Sequence, residues 1–139
     1  VRLLCEAGAD MDKGTLRGVT PLIFASEMGH QKVVRELCEA GADKDKAQPD
    51  GATAVLVASV YGHQDVVRLL CEAGADMDKG TLRGVTPLIF ASEMGHQKVV
   101  RELCEAGADK DKAQPDGATA VLVASVYGHQ DVVRLLCEA

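Results

Sequence analysis

Five cysteines stand at positions 5, 38, 71, 104 and 137, and four histidines at 30, 63, 96 and 129, each series advancing by 33 residues. These residue types supply thiolate nucleophiles, disulfides and zinc sites, yet the spacing argues against all three. No C-x2-C pair of the kind that holds zinc is present. If 33-residue units stack as packed helices about 8–10 Å apart, consecutive thiols exceed the ~7 Å Cα separation that a disulfide tolerates. The cysteines read as reduced core residues, which favours a reducing intracellular compartment. A histidine repeated identically in every unit does not build one singular active site, and no carboxylate or serine stands beside it beyond what the repetition generates. The Asp10-Met11-Asp12-Lys13 and Asp43-Lys44-Asp45-Lys46 segments alternate carboxylates as a calcium loop would, but interleaved lysines offset the charge. They read as solvated charges that pair between neighbouring units, each pair worth little. No metal, cofactor or small-molecule substrate is expected, and the chain does not read as an enzyme.

Charge and composition exclude further classes. The formal net charge is -6, and 15 Lys and Arg are scattered among 21 Asp and Glu instead of forming the basic stripe that nucleic acid requires. Two Tyr, two Phe and no Trp leave few platforms for base stacking. No apolar run approaches the roughly 18 residues of a membrane span. Neither nucleic acid nor membrane is an expected partner. No targeting segment follows Val1, and the chain reads as part of something longer.

The 33-residue step organises the whole chain. Residues 1–73 recur unchanged as residues 67–139, and residues 1–33 match residues 34–66 at 19 of 33 positions, so two variants of one unit alternate. Whole units occupy residues 8–40, 41–73, 74–106 and 107–139, and residues 1–7 read as the second helix of a preceding, truncated unit. Within the first, Gly8 to Gly18 is too short and too rich in Gly and Asp for a helix and reads as a hairpin-like turn. Thr20 offers an N-cap hydroxyl, and Pro21 sits where its missing N–H costs nothing. A short helix is expected over Pro21 to Met28, with Gly29 stopping it and His30 bridging to a second helix over Gln31 to Ala40. That second helix carries Val33, Val34, Leu37 and Cys38 on one face, and Gly41 ends it. The other variant caps with Thr53, has Ala54 in place of the proline, and turns at Gln48-Pro49-Asp50-Gly51. Arg35 with Glu39 and Arg68 with Glu72 read as i, i+4 pairs on the exposed side. Neither helix can bury its apolar side within one unit, so stacking must complete the core. The expected fold class is an all-α solenoid of helix-turn-helix units with connecting β-hairpin-like loops.

A unit containing Gly18-x-Thr20-Pro21-Leu22, Ala25-Ser26-x-x-Gly29-His30 and Val33-Val34-x-x-Leu37-x-x-x-Gly41-Ala42-Asp43 resembles the ankyrin repeat. The second variant keeps Gly51, Thr53, Ala58, Gly62, His63, Val66, Val67 and Leu70 in the same phase, and the resemblance covers the entire chain. It implies that the histidine of each Gly-His step contacts neighbouring backbone, and that hairpin tips and inner helices line a concave partner-binding surface. One departure bears on the stability of each repeat. The family's Thr-Pro-Leu-His tetrad is Thr20-Pro21-Leu22-Ile23 here and Thr53-Ala54-Val55-Leu56 in the next unit, so an apolar residue replaces the histidine that would bond the threonine.

Carried over by position, the concave candidates are Leu16, Arg17, Val19, Glu27 and Met28 in one variant and Pro49, Asp50, Ala52, Val60 and Tyr61 in the other. Their copies are Leu82, Arg83, Val85, Glu93 and Met94, then Pro115, Asp116, Ala118, Val126 and Tyr127. End-to-end stacking faces are expected at Val1 and Leu4 and at Val132, Val133, Leu136 and Cys137. A surface that repeats every two units suits a periodic partner or repeated epitopes better than one selective partner. The sequence therefore points to a non-catalytic, periodic structural or assembly solenoid, a window on a longer near-identical array or filament. A protein-binding module with one partner in the groove and a designed repeat scaffold are the alternatives. The expected partner is protein, with a second copy of the chain among the candidates.

Overall fold

The computed structural model describes Leu4 and residues 6–138. Within them eight helices form four pairs: α1 Pro21–Met28 with α2 Gln31–Glu39, α3 Ala54–Tyr61 with α4 Gln64–Glu72, α5 Pro87–Met94 with α6 Gln97–Glu105, and α7 Ala120–Val126 with α8 Gln130–Glu138. First helices stack on first helices and second on second, and each pair also packs internally. No strand forms among the described residues.

Local chemistry sets both ends of each helix. The Thr20 hydroxyl accepts the Ile23 amide at 3.2 Å, and Thr53, Thr86 and Thr119 repeat the bond to Leu56, Ile89 and Leu122. The position where the family has histidine thus donates its backbone amide to the threonine, while its side chain serves the core: Ile23, Leu56 and Ile89 are buried. Left-handed Gly29 ends α1, with the His30 amide reaching back to Ala25 O at 3.0 Å. The second helix closes the same way through Gly41, as the Ala42 amide meets Leu37 O at 3.0 Å and Ala42 is buried. Between units, the Thr15 amide bonds Val19 O at 3.0 Å and the Gly18 amide bonds Thr15 O at 2.8 Å. This is a three-residue hairpin loop with glycine in the left-handed position, too brief to become a ladder.

The core runs the length of the stack, each unit adding residues such as Leu22, Val34 and Leu37 or Val55, Val67 and Leu70. Burial of such side chains contributes about 1.5–3 kcal/mol apiece. Two of the expected stacking residues prove to be core: Val132 is 1% exposed and Leu136 5%. The second helix leans on its own partner helix and on the preceding unit, and Val132 faces backward, as its part-exposed counterpart Val33 in the first unit shows. The forward face belongs mainly to the first helix. Leu122 is 51% exposed, whereas its counterpart Leu56 is 3% exposed beneath the next unit. Val133 is part-buried, Leu4 and Cys137 are exposed, and Val1 lies outside the described residues.

Charges also distribute differently from expectation. Arg68 turns to Asp65 at 3.2 Å and to Glu102 of the following unit at 4.0 Å, not to Glu72. At the tips, Asp12 Oδ1 accepts the Asp43 amide at 2.9 Å while the Lys46 ammonium donates to Asp12 O at 2.8 Å. The charges do link neighbouring units, but each bonds backbone in place of the opposite charge. Asp45 and Asp78 repeat the arrangement with Asp76 and Lys79, then Asp109 and Lys112.

Candidate functional site

The units are joined by a second ladder at the Gly-His steps. His63 Nε2 lies 2.8 Å from Glu27 O, His96 Nε2 2.9 Å from Val60 O, and His129 Nε2 2.7 Å from Glu93 O. A carbonyl only accepts, so the ring donates Nε2–H in every case. Each ring also rests on the glycine of the preceding unit: a Cβ on Gly29 would stand 2.7 Å from His63 Nδ1. These histidines are therefore structural ties, and no group of acidic, histidine or cysteine side chains among the described residues gathers to hold a metal.

Along the concave side, Leu16, Arg17, Leu82 and Arg83 alternate with Pro49, Asp50, Pro115 and Asp116 at exposed hairpin tips. Behind the tips, Val19 and Val85 are part-buried, Ala118 is part-buried, and Ala52 is buried, so Ala52 offers no surface to a partner. Met28, Tyr61, Met94 and Tyr127 are about half exposed, Val126 is exposed, and Glu27, Glu93 and Val60 are part-buried. The two tyrosines are not free anchors. A hydrogen bond from the Tyr61 phenol to the Glu27 carboxylate, with that nearby negative charge, holds the phenol above its usual range, and Glu93 does the same to Tyr127. Each tyrosine also stacks over the histidine two residues on, at 6.5 Å between ring centroids.

Phe24 is missing from the candidates and belongs with them. It is 53% exposed and lines an open depression with Thr15, Leu16, Arg17, Val19 and Glu27. Its signal was readable, since a residue three positions before Glu27 and four before Met28 shares their helix face.

On the convex side, Cys38, Cys71 and Cys104 are free and part-buried, and Cys137 is free and exposed; Cys5 lies outside the described residues. Burial pushes the Cys71 thiol up to about 11, with the Glu102, Asp78 and Glu72 carboxylates adding to the shift. Burial likewise raises Cys38 and Cys104, opposed by Lys44 and Lys110. Thiols held protonated in this way are poor nucleophiles and poor metal ligands. No described helix is long and apolar enough to cross a membrane.

No curated protein matches the chain. The family model for ankyrin repeats matches it three times, over residues 1–81, 41–114 and 74–139. Those overlapping matches leave no residue uncovered, and paired helices with hairpin-like tips recur beneath all of them, so the chain belongs to the ankyrin-repeat family of protein-interaction modules.

Proposed function

We propose that the chain is a non-catalytic, periodic assembly solenoid, one stretch of an array whose regular surface and regular joints are its working parts. The observation that supports this reading is the sameness of the joints. Every step from one unit to the next repeats a histidine-to-carbonyl bond, an aspartate-to-amide bond and a lysine-to-carbonyl bond. Nothing in such a step distinguishes the second unit from the fourth, so the pattern extends by stacking. A groove built from two alternating variants offers the same chemistry every 66 residues, which suits repetition more than selection. Light scattering and electron microscopy of this chain test the reading: concentration-dependent, end-extended particles are expected, and a monodisperse monomer at high concentration overturns it.

A second reading, engagement of a periodic protein partner on the concave face, is favoured by the exposure of Leu16, Phe24, Met28 and Tyr61 on one side of the stack. Substituting Tyr61→Ala together with Tyr127→Ala separates the two. Loss of partner capture with self-association intact supports the groove, and the reverse supports assembly.

A further inference from the structure

The chain contains a worked example of how two of its copies would join, in the contact between its second and third units. Because residues 1–73 equal residues 67–139, the forward face of the fourth unit has the same residues as that of the second, and the rear face of the first unit the same as that of the third. In the interior contact, His96 donates to Val60 O at 2.9 Å, and the Leu82 amide donates to Asp50 O at 3.0 Å. Pro87 and Leu56 are buried between the two units, whereas Pro21 and Leu122 are exposed.

The alternation of variants adds a polar key to this contact. The turn position held by Leu16 and Leu82 in one variant is held by Pro49 and Pro115 in the other. A proline has no amide to donate, so a unit of the first variant brings a bond to the tip of the unit before it that a unit of the second cannot. Close approach accompanies the bond: a Cβ on Gly51 would lie 2.8 Å from Leu82 N and 2.9 Å from Thr81 Cα, backbone atoms that cannot swing away. At Gly117, the equivalent glycine, a Cβ meets nothing within 4 Å.

We propose that a second copy of this chain docks head to tail, its first unit seated on the fourth unit of the first copy in the geometry that the third unit adopts on the second. His30 then donates to Val126 O and the Leu16 amide to Asp116 O. The occupant is argued from continuity with the interior contact, whose two faces are residue for residue those left exposed. The inference rests on the assembly reading above and specifies its joint: heterologous, polar in direction, and always a leucine-tipped unit following a proline-tipped one.

Single-site variants at the joint leave the interior contact untouched. Gly117→Asn places a side chain where the partner backbone must approach, and asparagine tolerates the left-handed conformation (φ +89). Gly107→Asn is the control: φ is +95, and neither Gly107 nor its interior counterparts Gly41 and Gly74 has any neighbour within 4 Å of a Cβ. His30→Asp blocks the other face, since aspartate still suits a helix N-cap but sets a negative charge against the C-terminal carbonyls of the partner's α7.

Sedimentation equilibrium reads the outcome. The unaltered chain is expected to associate with concentration, Gly117→Asn and His30→Asp each to weaken association at least about tenfold, and Gly107→Asn to leave it unchanged. An equimolar mixture of Gly117→Asn and His30→Asp, which retains one good head and one good tail, is expected to stop at a 1:1 dimer. If the unaltered chain associates but either joint variant does so equally well, or the mixture forms no dimer, the joint is wrong while assembly stands. If the unaltered chain stays monomeric at every concentration, the assembly reading fails and the joint with it.

Discussion

Substituting His96→Ala, with the other three copies intact, isolates the contribution of a single inter-unit step. The ring donates to Val60 O over 2.9 Å, and lies against Gly62, where a Cβ would come within 3.0 Å of it. Alanine removes that bond, leaves the carbonyl without its donor and opens a gap the size of the imidazole. A net hydrogen bond contributes about 0.5–1.5 kcal/mol, and an acceptor left fully buried costs about 1–3 kcal/mol. His96 is only part-buried, so water reaches part of the site and the lower half of these ranges applies. With the lost packing, the expected cost is about 2 kcal/mol. His30 is an internal control of unusual quality: the residues around it are identical to those around His96, but its ring is exposed. His30→Ala is expected to change stability by less than about 0.5 kcal/mol. Urea unfolding followed by far-UV circular dichroism, on chain dilute enough to be monomeric, compares the two. Equal costs refute the reasoning, because the ring would then act within its own unit, and so does a His96→Ala chain as stable as the parent.

Two further outcomes follow from buried and half-buried groups. Ser26 and Ser92 bury hydroxyls with no hydrogen-bond partner, whereas Ser59 donates to Val55 O at 2.7 Å. Ser26→Ala is therefore expected to be neutral or stabilising and Ser59→Ala to cost stability, a difference of about 1 kcal/mol by denaturant melt. Among the thiols, Cys71 is held protonated up to about 11, against an ordinary value of 9.0, so it is expected to alkylate far more slowly at pH 8 than exposed Cys137. Because the folded value is the raised one, the stability tied to this thiol is intact below pH 9 and is lost as pH rises toward 11. Site-resolved mass spectrometry of iodoacetamide labelling across that range checks the order.

Helix limits were readable from local chemistry alone. Thr20-Pro21 and Gly29 mark the observed bounds of α1, and Gly41 closes the second helix one residue beyond its capping Ala40. Caps act over three or four residues, so a short window of sequence contains the whole cause. Contacts between units are another matter. Arg68 had Glu72 one turn away and yet bonds Asp65 and Glu102, the latter 34 residues distant, because stacking brings the following unit's second helix beside it. Val132 and Leu136 looked like a terminal face because they are apolar and near the last residue. Their direction depends on which neighbour each helix leans on, and an apolar pattern does not reveal that. Ser26 and Ser59 make the point most sharply: they occupy equivalent positions in their units, yet only one finds an acceptor.

The tip and histidine ladders share a direction. His63, Lys46, the Asp43 amide and the Leu82 amide are all donors on a later unit, reaching acceptors on the unit before. A chain synthesised from its N-terminus therefore presents each emerging unit with carbonyls and carboxylates that are already folded and waiting. The unit added last leaves only acceptors facing water, groups that solvent satisfies readily, so elongation never has to wait for what comes next. Growth of the stack can thus keep pace with growth of the polypeptide, one completed layer at a time.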